Sequence, residues 1–384
     1  MTNLKTDDKT IDAKTSYDDL PYANYAFSYA CPEHLYTIGK IFGLNPPQVD
    51  TATVLELGCG AGGNVIGFAA RYPKAKIVAV DLSKVQIDDA KSMVSKLELN
   101  NVDFKAMSIT DIDESYGKFD YIICHGVYAW VPKEVQDKIL EISSKLLTTN
   151  GISYVSYNTL PGWNIASTFR EMLQYHTDTF PDIQDKLTQA RAFIGFLQEG
   201  LAESNTPYYK FLKDEAAIIS GTDNSYLKHE YLDKGNSECY FIDFMKLAAA
   251  NNLSYLADSQ LSSMYVGNLP PKAVEKLQAI DDIIRSEQYM DFINNRRFRC
   301  TLLCHDKVGL QRNIECNILH DMWLSMHVAP AVPAEKMDFK NVNDFLMHIE
   351  VDFTCNKDGN FQLKYCNDLQ FGKESINITR LRIV

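Results

Sequence analysis

The sequence predicts an α/β fold whose core is a parallel sheet covered by helices on both faces. Three observations carry this. Strand-length apolar runs alternate with helix-period segments from residue 53 to residue 157. The first strand, 53 to 57, runs straight into a glycine-rich turn, Gly58-Cys-Gly-Ala-Gly62. The second strand ends on Asp81, 23 residues beyond Gly58. Alternation of this kind needs crossover connections, which lay successive strands parallel and put helices on the faces.

The elements follow in order: strand 53 to 57, helix 62 to 71, strand 76 to 80, helix 84 to 97, strands 102 to 106 and 119 to 124, helix 133 to 147, strand 151 to 157. The helix from Lys133 is amphipathic, with Val135, Ile139, Ile142 and Leu146 on one stripe. Upstream, Tyr17 to Leu44 reads as a helical cap with Tyr22, Tyr25 and Tyr29 at i, i+3 and i+7, a stripe that serves either a core or a ligand cage. Beyond Trp163 the alternation stops. Residues 164 to 220 are helical by pattern, broken near Pro181 and Pro207. Strand, helix and strand resume over 238–241, 242–251 and 253–257, and a helix from Lys272 to Asn294 leads into a mixed α+β segment ending strand-like at 376–384. The expected domains are 1–50, a cap; 51–163, the core; 164–235, a helical insertion; 236–265, completion of the sheet; and 266–384, a C-terminal α+β domain.

Gly58, Gly60 and Gly62 lack a Cβ, so the backbone can bend sharply and approach a ligand at the helix start. A purely structural link is the bland reading of such a turn. Glu56, two positions upstream, would oppose a pyrophosphate at the helix N-terminus, which argues against NAD or FAD. S-adenosylmethionine has no phosphate and carries an ammonium and a sulfonium, so a carboxylate suits it. Asp81 stands where a carboxylate accepts from the ribose hydroxyls of adenosine.

With 46% hydrophobic and 23% charged residues over 384 positions, the chain is an ordinary globular protein of two or three domains. A net charge of −12 disfavours nucleic acid and suits a lysine-rich partner. Met1 to Ser16 is polar without a signal-peptide stretch, no run is long enough for membrane insertion, and nine cysteines read as reduced thiols of a cytoplasmic protein. Cys300 with Cys304 and Cys316 with His320, beside His305, have loose zinc-like spacing, but Cys300 to Cys304 sits in an apolar Thr-Leu-Leu run. These are read as core, and no metal is assigned.

In combination, Glu56-Leu-Gly-Cys-Gly-Ala-Gly62, Asp81-Leu82-Ser, Asn101 to Ile109 and Phe119 to Val127 resemble the Rossmann-type, class I S-adenosylmethionine-dependent methyltransferases. His125 to Pro132 and Val155 to Trp163 are similar to a bacterial subgroup with a regulatory domain, which Ser225 to Leu232, Tyr289 to Arg299 and Thr301 to His305 resemble. That subgroup includes the rickettsial protein-lysine methyltransferases that modify outer-membrane proteins. The resemblance implies a Rossmann-like, mostly parallel sheet whose last strand is antiparallel, with the strand at 253–257 in that place. It implies S-adenosylmethionine as cofactor, bound in part by Asp81-Leu82, with Ser108 and Ile109 at adenine, His125 and Gly126 beside the methionine portion, and one tyrosine of the cap, Tyr29, reaching it. Ser108 departs from the Asp that many members carry there.

Transfer of a methyl group from a sulfonium is an in-line displacement, so the protein mainly aligns donor and acceptor and excludes water. A lysine acceptor must also lose its proton. The candidates at the strand ends are His125, Tyr128 and Trp130 after the fourth strand, and Asn158 and Trp163 after the fifth. Each has a bland reading: the tryptophans as core, His125 as a backbone support around the cofactor rather than a general base. On resemblance the acceptor is a lysine of an outer-membrane protein met before export, and the helical insertion is a dimer contact, giving a homodimer. A small-molecule methyltransferase and a non-catalytic, cofactor-binding scaffold are the alternatives. A chain shortened relative to longer proteins is also expected.

Overall fold

The computed structural model describes residues 25–203, 205–314 and 318, and the strands Val351–Cys355 and Phe361–Tyr365. Two compact units emerge, one of residues up to 39 and 44–309, the other of 40–43 and residues from 310 onward. In the second unit, Val351–Cys355 and Phe361–Tyr365 pair antiparallel, and the Gln311 N–H donates to the Phe42 carbonyl at 2.8 Å.

In chain order the first unit contains α1 (Pro32–Ile41), β1 (Thr53–Leu57), α2 (Gly63–Arg71), β2 (Lys76–Asp81), α3 (Lys84–Lys96), β3 (Val102–Ala106), β4 (Phe119–Cys124), α4 (Lys133–Lys145) and β5 (Leu147–Asn158). Then come α5 (Trp163–Thr177), α6 (Ile183–Gly200), α7 (Pro207–Ser220), a π-helical turn at Leu227–Leu232, α8 (Phe241–Ala250), β6 (Leu253–Asp258), α9 (Pro271–Leu277), α10 (Ile283–Asn294) and β7 (Phe298–His305). The sheet runs β3-β2-β1-β4-β5-β7-β6. The first five strands are parallel, and β7 is antiparallel to both neighbours.

Strand order reverses at β1: the chain winds outward to β3 on one side, then returns to β4 on the other. The carboxyl ends of β1 and β4 flank this switch point, the crevice where an open α/β sheet takes its ligand. Helix starts are set by local chemistry. Ser83 Oγ accepts from the Gln86 N–H ahead of α3, Asp182 accepts from Gln184 and Asp185 ahead of α6, and Thr206 caps α7, whose first residue is Pro207. Helices α5 to α7 and the π-helical turn bury a separate cluster that includes Phe169, Leu173, Leu187, Ile194, Ala216 and Tyr231. Among the described residues no helix is long and apolar enough to cross a membrane.

Four expectations need correction. The last strand of the sheet in chain order is antiparallel as expected, but it is Phe298–His305, inserted between β5 and the 253–258 strand. Its Arg299 to Cys304 are buried throughout, which an edge position would not allow. Residues 238–241 form no strand: Cys239 makes one bridge to Thr159, and α8 begins at Phe241, with Gln288 Oε1 accepting from the Ile242 N–H at 3.0 Å. The helix expected over 272–294 is two, because Asp282 caps a new start by accepting from the Arg285 N–H. The cap is not one helix: Tyr25 to Phe27 precede a short 3₁₀ turn at Ser28–Ala30, so Tyr25 and Tyr29 do not share a helical stripe. Tyr22, Cys316, His320 and residues 376–384 lie outside the described residues.

A buried ionic cluster fastens α10 to the sheet. The Arg299 guanidinium, fully buried, donates to both oxygens of Asp291 at 2.7 and 2.9 Å and to Glu287 at 2.9 Å, and lies 3.8 Å over the Phe241 ring. Arg296 reaches Asp258 at 3.2 Å and Asp291 at 3.1 Å. Burial pushes the three carboxyls up in pKa, and the guanidiniums pull them back. Arg299→Ala would strand buried carboxylates and lower stability in urea unfolding by about 3–5 kcal/mol. Lys133→Ala, which removes an exposed pair with Asp137, should change it by less than about 0.5 kcal/mol, and equal losses would refute this account.

Candidate active site

The turn after β1 is built from three left-handed residues, Gly58, Gly60 and Gly62, at φ 73°, 54° and 79°. A Cβ on Gly58 would meet Val127 at 2.4 Å, and one on Gly62 would meet Phe104 at 2.6 Å. Neither position admits a side chain. The turn is pinned to β2: the Gly58 and Cys59 N–H groups donate to the Val80 carbonyl at 2.8 and 3.0 Å, and Asp81 accepts from Gly60 and Ser83, each at 2.8 Å. Asp81 therefore shapes the turn and the start of α3. Leu82 beside it is exposed, Ile109 is buried, and the Ser108 hydroxyl turns to Thr110 at 2.7 Å.

Glu56 ends almost fully buried, at 3% exposure, although it is a carboxylate. Asn64, in the first turn of α2, donates to its Oε1 at 2.9 Å, while Oε2 is buried with no partner among the described residues. Burial, opposed by the Asn64 bond and reinforced by the charge of Asp81, pushes its pKa up to about 8. The other end of the Asn64 amide accepts from the Phe27 N–H at 3.1 Å. The Phe27 ring lies against His125, centroids 3.8 Å apart, so the segment before α1 closes this side of the crevice. His125 Nδ1 lies 2.8 Å from the Tyr154 hydroxyl and 3.3 Å from Ser156 Oγ, and burial pulls its pKa down to about 4. Gly126, at φ 67°, donates its N–H to the same Ser156 Oγ at 2.8 Å.

These residues fit an aminoacyl-nucleoside cofactor with a cationic end. A buried carboxylate with an orphaned oxygen is stabilised by an ammonium, and the Cβ-less turn leaves room for close backbone approach.

The acceptor-side candidates divide into two groups. Asn158 is buried at the end of β5, where its Nδ2 donates to Asn236 Oδ1 at 3.1 Å. Trp163 is buried with its Nε1 unpartnered, as is Nδ2 of Asn236, and the Trp130 ring meets Trp163 edge-on at 6.3 Å. Phe298 connects this group to the crevice: its backbone pairs with Asn158 and its ring stands edge-on to His125 at 6.0 Å. Tyr128 stands apart in the sheet core, 5.3 Å from Phe244 and 6.0 Å from Tyr157 between ring centroids, with its hydroxyl buried and unpartnered. Tyr29 is exposed and stands edge-on to His34 at 5.8 Å, while its carbonyl accepts from Ser259. Phe27, Asn64, Tyr154, Asn236 and Phe298 were not expected from sequence. Asn64 alone carries a local signal, as a polar residue in the first turn after the glycines.

The family described as "Methyltransferase domain" matches residues 48–213, and that described as "Predicted methyltransferase regulatory domain" matches residues 223–305. An uncharacterized protein of Rickettsia prowazekii is 48% identical over 337 residues, covering 88% of this chain and 61% of its own length. A second one from the same organism is 52% identical, covering 61% of this chain and 94% of its own. The structure of PKMT2 from Rickettsia typhi in complex with AdoHcy is similar at 53% identity and a TM-score of 0.76, over 84% of this chain and 62% of that one. The chain thus spans about three fifths of the length of the first of these relatives and of PKMT2.

The Glu56 environment sets a pH dependence. Its folded-state pKa lies above the ordinary 4.5, so the stability it contributes is complete below that value and is lost as pH rises through about 8. Ligand-free Glu56→Gln should match the wild type near pH 4.5 and unfold at a higher temperature than it at pH 8. Parallel melting profiles would sink this reading of Glu56.

Proposed function

The chain belongs to the Rossmann-like methyltransferases that carry a methyltransferase regulatory domain, and from that premise we propose that it transfers methyl groups from S-adenosylmethionine to lysine side chains of a protein. The observation that carries the cofactor half is the buried Glu56 carboxylate with its unpartnered oxygen beside the Cβ-less turn. The acceptor half is supported by the likeness to PKMT2, a name we read as protein-lysine methyltransferase.

S-adenosylmethionine, when bound, supplies an electrophilic methyl on sulfonium. Glu56 would hold the ammonium end and Asp81 the ribose hydroxyls, with the Cβ-less Gly58–Gly62 turn leaving room for the ligand. Phe27, seated on His125 and tied to Asn64, excludes water from that side. A lysine amine must arrive uncharged. Desolvation beside Phe298, Trp130 and Trp163 lowers its pKa, and Asn158, whose Nδ2 is held by Asn236, presents the amide oxygen to an amine N–H. His125 stays neutral down to about pH 4, so it takes no proton at neutral pH, and the proton leaves to water. The substrate in this reading is an outer-membrane protein methylated in the cytoplasm before export. Residues 164–235 form the cover over the acceptor end and the homodimer contact.

Incubation with methyl-labelled S-adenosylmethionine and a panel of lysine-bearing proteins should place label on lysine by mass spectrometry. Label confined to small metabolites would reject the lysine acceptor, and label nowhere would favour a scaffold. Gly58→Ala should weaken S-adenosylhomocysteine binding at least about tenfold by calorimetry, because the left-handed backbone and Val127 both refuse a Cβ. Unchanged affinity would remove the turn from the cofactor site.

A further inference from the structure

We infer that His125 is a neutral hydrogen-bond donor, carrying its proton on Nε2, that recognises the carboxylate at the amino-acid end of the cofactor, and that Tyr154 and Ser156 are positioning residues that hold this tautomer. The inference rests on the cofactor reading above and adds a named contact to it.

The tautomer follows from counting hydrogens. Ser156 Oγ accepts the Gly126 N–H at 2.8 Å and stands 3.3 Å from Nδ1 of His125, to which its hydroxyl can donate. The Tyr154 hydroxyl lies 2.8 Å from the same Nδ1 and 3.1 Å from Sγ of Cys300. One hydrogen cannot serve both, and an imidazole nitrogen is a far better acceptor than a thiol sulfur. The Cys300 thiol, held protonated by burial, can donate back to the tyrosine oxygen. With the Tyr154 O–H given to Nδ1, the proton of the neutral ring belongs on Nε2. Nε2 has no protein partner among the described residues, and His125 is only half-buried, so that edge is open to a ligand.

The choice of ligand group follows from the neighbours. Glu56 pairs with Ile123, so His125 stands two residues further toward the crevice on the adjacent strand, about 4.8 Å away laterally. If the ammonium sits on Glu56, the carboxylate on the same carbon is the nearest acceptor for a donor there. A neutral donor also suits a site that holds a sulfonium, where an imidazolium would repel it.

Nitrogen-15 NMR of the histidines in ligand-free protein reads the tautomer directly, and Nε2–H is expected. Tyr154→Phe combined with Ser156→Ala should populate Nδ1–H, and Ser156→Ala alone covers the case in which the double variant does not fold. Saturating S-adenosylhomocysteine should shift the His125 Nε2 resonance, whereas 5′-methylthioadenosine, which lacks the amino-acid end, should not. His125→Ala should weaken S-adenosylhomocysteine about tenfold or more and leave methylthioadenosine within about twofold, with His125→Gln, which donates from a similar point, retaining most of the affinity. An Nδ1–H ground state, or a resonance that answers equally to both ligands, overturns the inference while leaving the cofactor reading standing. Failure of the wild type to bind S-adenosylhomocysteine overturns both.

Discussion

The constraint on which the site depends is the pinning of a left-handed turn to the end of a neighbouring strand. Three glycines turn the chain between β1 and α2, and the Val80 carbonyl with the Asp81 carboxylate gather four N–H groups from this region. That arrangement fixes where Glu56 ends, where α2 begins, and hence where Asn64 stands to bridge Glu56 and Phe27. The loop after β4 then lies against Gly58 through Val127, which brings His125 to the crevice. A Cβ at Gly58 would collide with Val127, and one at Gly62 with Phe104.

Buried charge is used in two different ways. Around Arg299, three carboxylates and two guanidiniums satisfy one another, and the product is attachment of α10 to β6 and β7. At Glu56 the carboxylate has one amide partner and an orphaned oxygen, so burial costs stability until a cation arrives. A satisfied cluster supports the fold. An unsatisfied one marks a place for a ligand, and the contrast within one chain strengthens that reading of Glu56. Around His125 and Asn158 the neighbouring groups are uncharged, namely the Phe27 and Phe298 rings and Asn236, while the Arg170 guanidinium lies 5.2 Å over the Trp130 ring. Such a lining disfavours an ammonium relative to an amine.

Much of this was legible in the chain. The period-2 and period-3.6 runs located β1 to β5 and α2 to α4 to within a few residues, because each buries its own apolar stripe. Gly58, Gly60, Gly62, Glu56 and Asp81 were found by spacing, since their roles are local to one strand-turn-helix unit. The sequence did not reveal β7 as a central strand. An apolar run of that length is compatible with several sheets, and its neighbours, β5 and β6, are well over a hundred and about forty residues away respectively. The same reason hid Phe27, Asn236 and Phe298, whose partners are remote in sequence.

What the sequence by itself determined is therefore the set of interactions closed within one supersecondary unit: the alternation, the turn, and the acidic pair that narrows the cofactor class. What only the tertiary structure decided is which groups are left unsatisfied. Tyr128 looked like an active-site residue by position and is held in the core by Phe244 and Tyr157. His125 read as a support around the cofactor or a general base, and it is held neutral by burial, with Tyr154 and Ser156 at its inner nitrogen. The physical reason is that a side chain's protonation and orientation depend on its full hydrogen-bond shell, and that shell is assembled from residues the linear order keeps apart.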